Sequence, residues 1–425
     1  MATSRPLQPQ ASSPDGGPPR AGSGVATANR PQGLGWGAVA RTLVGPPQAR
    51  PSGLRFCAVV YLVSRIPVVL ALTLFLVRNP GRNLTWVMLR QDGWWYTRLA
   101  RDGYTGSLRP PLGPHDFHHR YSGWAFYPGY PLVIRALHDV TRLPYLTSAL
   151  VTSSVLGLGA VWAVYALADL FGGVPVARSA ALLIALWPGS AAFSLPYSEG
   201  LFVAAVALGL MFMTRQRWIW AGACGAIAFA TRPTGLALLA AMAVVAGVRL
   251  VRHRDRRPLV AVAMTAAGGV GFLLYGWART GDPLVWRHAE NLWGQRFDVS
   301  QALIRRSLPV LLRPFAALHD PGYRLLLVTT LLELLGLLML VVMGVALVRT
   351  RGWPSPVMAV YACVAVAMII GYSAVAARPR MVLAVVPGFV WLGGWLPRRV
   401  VLPLAAAFTV LLGVITYVWS WQVTP

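Results

Sequence analysis

Apolar runs of about 20 residues recur along most of this chain, and each is long enough to cross a ~30 Å hydrocarbon core. Lipid offers no hydrogen-bond partner to a free backbone group, so such runs are expected as helices. The sequence therefore predicts an all-α polytopic membrane protein. Charge content agrees: only 12% of the 425 residues are charged, about half the roughly 25% of a soluble globular chain. Spans are expected near 55–77, 148–170, 179–195, 198–214, 217–231, 234–251, 258–277, 324–348, 356–376, 381–396 and 400–421, about eleven in all. Two long stretches, 78–147 and 278–323, lie between them. Residues 1–50 are rich in Pro, Gly, Ser and Ala and cannot bury a core, which predicts a disordered cytoplasmic tail. That tail lacks an apolar segment of signal-peptide type, so the first span is expected to be an uncleaved signal-anchor. Residues 51–425 are expected to form one transmembrane domain.

The net charge is +25, and all 38 basic residues are arginine. This usage points to a GC-rich genome. The arginines are scattered through short loops rather than gathered on one face, so nucleic acid is not an expected partner; membrane lipids are. Cys57, Cys224 and Cys363 all fall in apolar runs and suggest neither a disulfide framework nor a metal site. With the N-terminus in the cytoplasm, Arg178, Arg215, Arg217, the run RLVRHRDRR (249–257), Arg349, Arg351, Arg398 and Arg399 lie inside. The short outer loops then carry only Arg232, Arg378 and Arg380, as the positive-inside rule requires.

That orientation places every unusual polar cluster on the extracytoplasmic face. LRQDGWWY (89–96) follows the first span. PYSEG (196–200), TRPTG (231–235), GDPLVWRHAENLWGQRF (281–297) and RPRM (378–381) join it. Asp92, at a water–lipid boundary, is suited to take a proton from a hydroxyl nucleophile. Trp94, Trp95 and Tyr96 suit headgroup depth, or stacking on a sugar ring. The competing structural reading makes Asp92 the N-cap of an interfacial helix. In PYSEG, Ser198 reads equally as a helix cap with Glu199 in the first turn, or, with Tyr197, as part of a polar site. Arg232, Arg378 and Arg380 read either as arginines snorkelling to headgroups or as guanidinium forks for a lipid-linked phosphate. HDFHHR (115–120) matches no strong metal spacing, and it is expected to be a solvated loop in which His118 or His119 is placed to meet a sugar hydroxyl. Glu333 lies roughly 13 Å into a span, where an ionisable group is expected to face a cavity or a partner.

Taken in order, RQDGWWY, AFYPGYPLVIR (125–135), WPGSAAFSLPYSEGLF (187–202) and ATRPTG (230–235) resemble the PIG-V family, the second mannosyltransferase of GPI-anchor synthesis and its bacterial relatives. The resemblance covers about residues 85–240. Gln91 stands where the family has Trp before the acid, and Trp187 where it has Asn before Pro188. The resemblance implies a GT-C glycosyltransferase fold with a long first extracytoplasmic loop carrying interfacial helices. It implies a polyprenyl-phosphate sugar donor, mannose as the sugar, a glycolipid or lipoglycan acceptor, and inversion with Asp92 as general base. Arg232, with Arg378 or Arg380, would hold the lipid phosphate. Tyr197, Ser198 and Glu199 would orient sugar hydroxyls, and Trp94, Trp95 and Tyr96 would border the acceptor. No cofactor is called for, and dependence on a divalent metal stays open. Two alternatives remain: a GT-C transferase for arabinose, glucose or a protein acceptor, and a transporter or lipid flippase, which would place polar groups at mid-depth within an inverted repeat.

Overall fold

The computed structural model describes residues 51–90, 92–109, 120–298, 301–350, 356–371 and 378–421, all within the unit Leu43–Pro425. The tail 1–50 and the HDFHH segment lie outside them. Among the described residues the chain is helical, with one isolated bridge residue, Phe297, and no strand. In chain order the helices are α1 (Pro51–Arg78), α2 (Leu84–Met88), α3 (Asp92–Asp102), α4 (Gly129–Thr141), α5 (Tyr145–Leu186), α6 (Glu199–Thr214), α7 (Trp218–Thr231) and α8 (Leu236–His253). They continue with α9 (Pro258–Thr280), α10 (Val285–Leu292), α11 (Gln301–Leu312), α12 (Pro321–Arg349), α13 (Pro356–Gly371), α14 (Arg378–Met381), α15 (Val386–Trp395) and α16 (Arg398–Trp421).

Six helical segments among the described residues are long and apolar enough to cross a membrane: Gly53–Arg78, Tyr145–Leu186, Pro233–His253, Pro258–Thr280, Gly322–Arg349 and Arg398–Trp421. The apolar helices α6, α7 and α13 are shorter. α15, with 10 residues, reaches only about 15 Å and is almost wholly buried. One expected span is shortened. The helical piece that carries the run 179–195 ends at Leu186, and a 3-10 turn, Pro188–Phe193, replaces the rest. Trp187, the residue before a proline, leaves the helical region at φ −51° and ψ 133°. α5 itself is broken at Gly173, whose φ of 67° and ψ of −173° divide it into two helical pieces. The long first connection is not a bare loop. It holds α2, α3 and α4, and the amphipathic α3 buries Trp95, Tyr96, Leu99 and Ala100 while leaving Arg101 and Asp102 exposed.

The core is formed by α5 against α1, α6 and α15, with α7 packed on α6 and α9. One buried cation organises its end. Arg65, inside α1, donates to the carbonyl oxygens of Ala185 (2.9 Å) and Ser190 (2.7 Å), and to Ser190 Oγ (3.0 Å). A guanidinium there satisfies the orphan carbonyls at the end of α5, where the helix dipole favours positive charge. The 3-10 turn so anchored holds the chain around α14. Trp187 Nε1 donates to the Pro379 carbonyl at 2.5 Å. Gly189 lies so close to Pro379 and Arg380 that a Cβ would overlap the Pro379 carbonyl oxygen. Gly189→Ala is therefore expected to push Arg380 out of place, at a cost of about 2 kcal/mol. A thermal melt in detergent checks it: an unchanged midpoint would contradict this packing.

Candidate active site

Five polar motifs far apart in sequence meet at one cavity of about 170 Å³. Its wall includes Asp92 and Tyr96 from α3, Glu199 from α6, Arg232 and Thr234 from the turn after α7, and Arg380 from α14. The segment from α10 to Gln295 supplies Glu290, Trp293 and Gln295. Local packing sets each group. Gly93 allows the start of α3 to press against the Met88 carbonyl and Pro196, which fixes Asp92 beside the PYSEG turn. Glu199 opens α6, and Arg232 leaves α7 in extended backbone ahead of Pro233.

The charges interlock. Arg380 Nη1 donates to Asp92 Oδ2 at 2.5 Å, and its Nε lies 3.1 Å from Glu199 Oε1. Arg232 Nη1 donates to the same Glu199 oxygen and to Ser198 Oγ, the latter at 3.3 Å. Two guanidiniums thus share one buried carboxylate, and Asp92 takes the outer place on Arg380. Burial opposes the charge on Arg380, but Glu199 and Asp92 outweigh it and hold its pKa well above the usual arginine value. The Arg380 guanidinium also lies over the Tyr197 ring, 4.6 Å from its centroid. Neither arginine spends all its donors: among the described residues Arg232 Nε and Nη2 and Arg380 Nη2 make no hydrogen bond.

The structure decides several of the paired readings. Ser198 is not a side-chain cap of α6; its hydroxyl is 2.9 Å from Tyr96 Oη, fully buried between Tyr96 and Arg232. Arg232 does not snorkel, being ion-paired to Glu199 with 17% of its side chain exposed. Tyr96 lines the cavity, but Trp95 does not: it is 2% exposed and packs on Phe126 and Trp293. Trp94 lies outside the cavity wall, with Arg98 over its ring. Tyr197 is also behind the wall, held by Trp419 Nε1 at 3.1 Å. Trp95 and Tyr197 are drawn inward by aromatic neighbours, so they shape the site without bordering it. Arg378 opens α14, but its side chain lies outside the described set, as do His118 and His119. Glu333 is fully buried near the middle of α12 and is not among the residues lining this cavity.

Glu290 is among the lining residues that motif reading passed over, with Thr234, Trp293 and Gln295. It is 8% exposed, and burial pushes its carboxyl up to about 7, with Arg287 and Arg232 opposing and Asp92 assisting. The available signal was its place three residues before Trp293 in GDPLVWRHAENLWGQRF, which puts both on one side of a helical turn. A carboxyl pKa raised by folding favours the folded state most at pH below its unfolded value, and that advantage is lost as pH rises through about 7. The thermal midpoint is thus expected to fall between pH 5 and pH 8, and to fall less in Glu290→Gln. Equal pH slopes in the two proteins would contradict it.

No protein-family model matches the chain, and no curated protein matches it. Among solved structures it is similar to ArnT from Cupriavidus metallidurans bound to undecaprenyl phosphate, with 15% identity and a TM-score of 0.46, over 77% of this chain and 59% of that one. The apo form of the same protein matches with 15% identity and a TM-score of 0.43, over 70% of this chain and 52% of that one. The match thus spans little more than half the length of these structures.

Proposed function

We propose that this chain is an integral-membrane glycosyltransferase of GT-C type, related to the PIG-V enzymes, that uses a polyprenyl-phosphate sugar as donor. The observation that carries the reading is the pair Arg232 and Arg380, with unused N–H donors, beside Asp92 in one cavity of a chain with membrane-length helices. In this reading the acceptor hydroxyl gives its proton to Asp92. Oδ1 makes no hydrogen bond among the described residues and is the free acceptor; Oδ2 is taken by Arg380. The acceptor oxygen forms a bond to the anomeric carbon from the face opposite the leaving group, which inverts it. The bond from that carbon to the phosphate oxygen breaks, and its electron pair leaves with the lipid phosphate. Arg232 and Arg380 stabilise that developing charge, a role preorganised donors perform best in a site shielded from water. Glu199 sets the spacing of the two guanidiniums, and Ser198 and Tyr96 hold Arg232 in place.

Mannose as the sugar, a glycolipid or lipoglycan as the acceptor, and an extracytoplasmic active site follow from the sequence resemblance and the arginine distribution. A transporter reading rests on Glu333 alone, one buried acid in a long helix. The test is transfer by the purified chain in nanodiscs from radiolabelled polyprenyl-phosphate mannose to total membrane lipid. A labelled glycolipid is expected. If neither mannose nor glucose or arabinose donors label any product, the enzyme reading fails.

A further inference from the structure

We propose that the wall formed by Glu290, Trp293, Gln295 and Thr234 is the subsite for the sugar carried by the lipid phosphate, and that it recognises an uncharged, hydroxyl-rich ring. The inference rests on the glycosyltransferase reading and deepens it.

The cavity is polar in an unbalanced way. Its two guanidiniums are occupied on one side by Asp92 and Glu199, whereas several of its acceptors have nothing to bond. Among the described residues the Glu290 carboxyl makes neither a hydrogen bond nor an ion pair. Gln295 Oε1, Thr234 Oγ1 and Glu199 Oε2 are buried with no hydrogen-bond partner. Buried acceptors left unmade cost about 1–3 kcal/mol each, so several in one cavity call for a ligand that brings donors. A lipid phosphate brings only acceptors and satisfies the arginines alone. A sugar ring brings several hydroxyls, each a donor and an acceptor.

The aromatic residues fit the same ligand. Trp293 lines the cavity and is held by Tyr121, stacked at 4.4 Å between centroids, and by the Ser122 carbonyl, to which its Nε1 donates at 3.0 Å. Tyr127 and Phe126 lie alongside. Rigid rings beside hydrogen-bond acceptors suit a pyranose, which is apolar on its C–H faces and polar at its edge. Glu290 ties the subsite to the reaction. Its carboxyl interacts electrostatically with both Asp92 and Arg232, so an added phosphate anion next to the arginines raises its proton affinity further. A protonated carboxyl donates one hydrogen bond and accepts others, and it adds no negative charge next to the departing phosphate.

The experiment compares binding of two lipids to the full chain in nanodiscs: a polyprenyl phosphate without sugar, and the same lipid phosphate carrying mannose. Wild type is expected to prefer the sugar-bearing lipid. Glu290→Gln keeps an amide in place of the carboxyl, and Gln295→Ala and Thr234→Val remove one acceptor each. Each variant is expected to lose on the order of tenfold of that preference; Gln295→Ala and Thr234→Val bind the bare lipid phosphate as wild type does, and Glu290→Gln does so at pH 5, where the wild-type carboxyl is protonated. Variants that weaken both lipids equally, or neither, overturn the subsite. A wild type that binds both lipids alike overturns the subsite and leaves the lipid-phosphate reading standing. A wild type that binds neither overturns both. A polyprenyl-phosphate amino sugar preferred over the mannose lipid by wild type, with the preference lost in Glu290→Gln, overturns the uncharged ring.

Discussion

Asp92→Asn is expected to lower sugar transfer by about a thousandfold while leaving donor binding within a few-fold of wild type. Removing a positioned general base typically costs two to four orders of magnitude, and an amide has the shape of the carboxylate without its basicity. The substitution is mild for the rest of the site. Arg380 keeps Glu199 at 3.1 Å and its place over Tyr197. The amide oxygen that replaces the carboxylate still accepts from Arg380. Transfer is read as labelled glycolipid, and donor binding as retention of the labelled lipid. Full activity in the variant would move the base elsewhere in the cavity, with Glu290 the first place to look.

The second large effect is on Arg380. Arg380→Gln takes one cation from a group in which Asp92 has no other partner among the described residues, whereas Glu199 keeps Arg232. An uncompensated, mostly buried carboxylate costs about 3 kcal/mol, and half of the phosphate clamp is lost with it. Both stability and lipid-phosphate binding are therefore expected to fall, the latter by on the order of a hundredfold. The double variant Arg380→Gln/Asp92→Asn separates the two losses. It removes the stranded charge, so its thermal midpoint should recover toward wild type, while lipid binding and transfer stay low. A midpoint that does not recover would show that Arg380 supports the fold by some route other than its pairing with Asp92. Arg232→Gln is the milder change, because Glu199 retains Arg380.

Much of this site was legible because its residues are out of place in an apolar chain. Asp92, Glu199, Arg232 and Arg380 stand at the ends of apolar runs, and a topology chosen on arginine counts puts them on one face. The structure adds that they touch. Ser198 shows where local reading stops. Its position before Glu199 satisfies the helix-cap pattern, but the hydroxyl is claimed by Tyr96 and Arg232, and nothing within five residues foretells that. Glu290, Trp293 and Gln295 were unassigned for a related reason, since only the tertiary fold brings the segment after α9 against α3 and α7. Arg65 was overlooked because one arginine does not interrupt a 28-residue apolar helix, and its partners are carbonyls more than a hundred residues away. Of the aromatic triplet, Tyr96 reaches the cavity, while Trp95 is turned inward against Phe126 and Trp293. One helix boundary followed a proline. Pro188 ends α5, and the apolar residues beyond it pack as a 3-10 turn under Arg65.

The most direct test is the position of the lipid phosphate. A cryo-EM map of the chain in nanodiscs with a polyprenyl phosphate should show the phosphate within hydrogen-bond distance of both Arg232 and Arg380, its prenyl tail running out among the helices. That density should vanish in Arg380→Gln. A phosphate seated away from the two arginines, or density there that persists in the variant, would contradict the account.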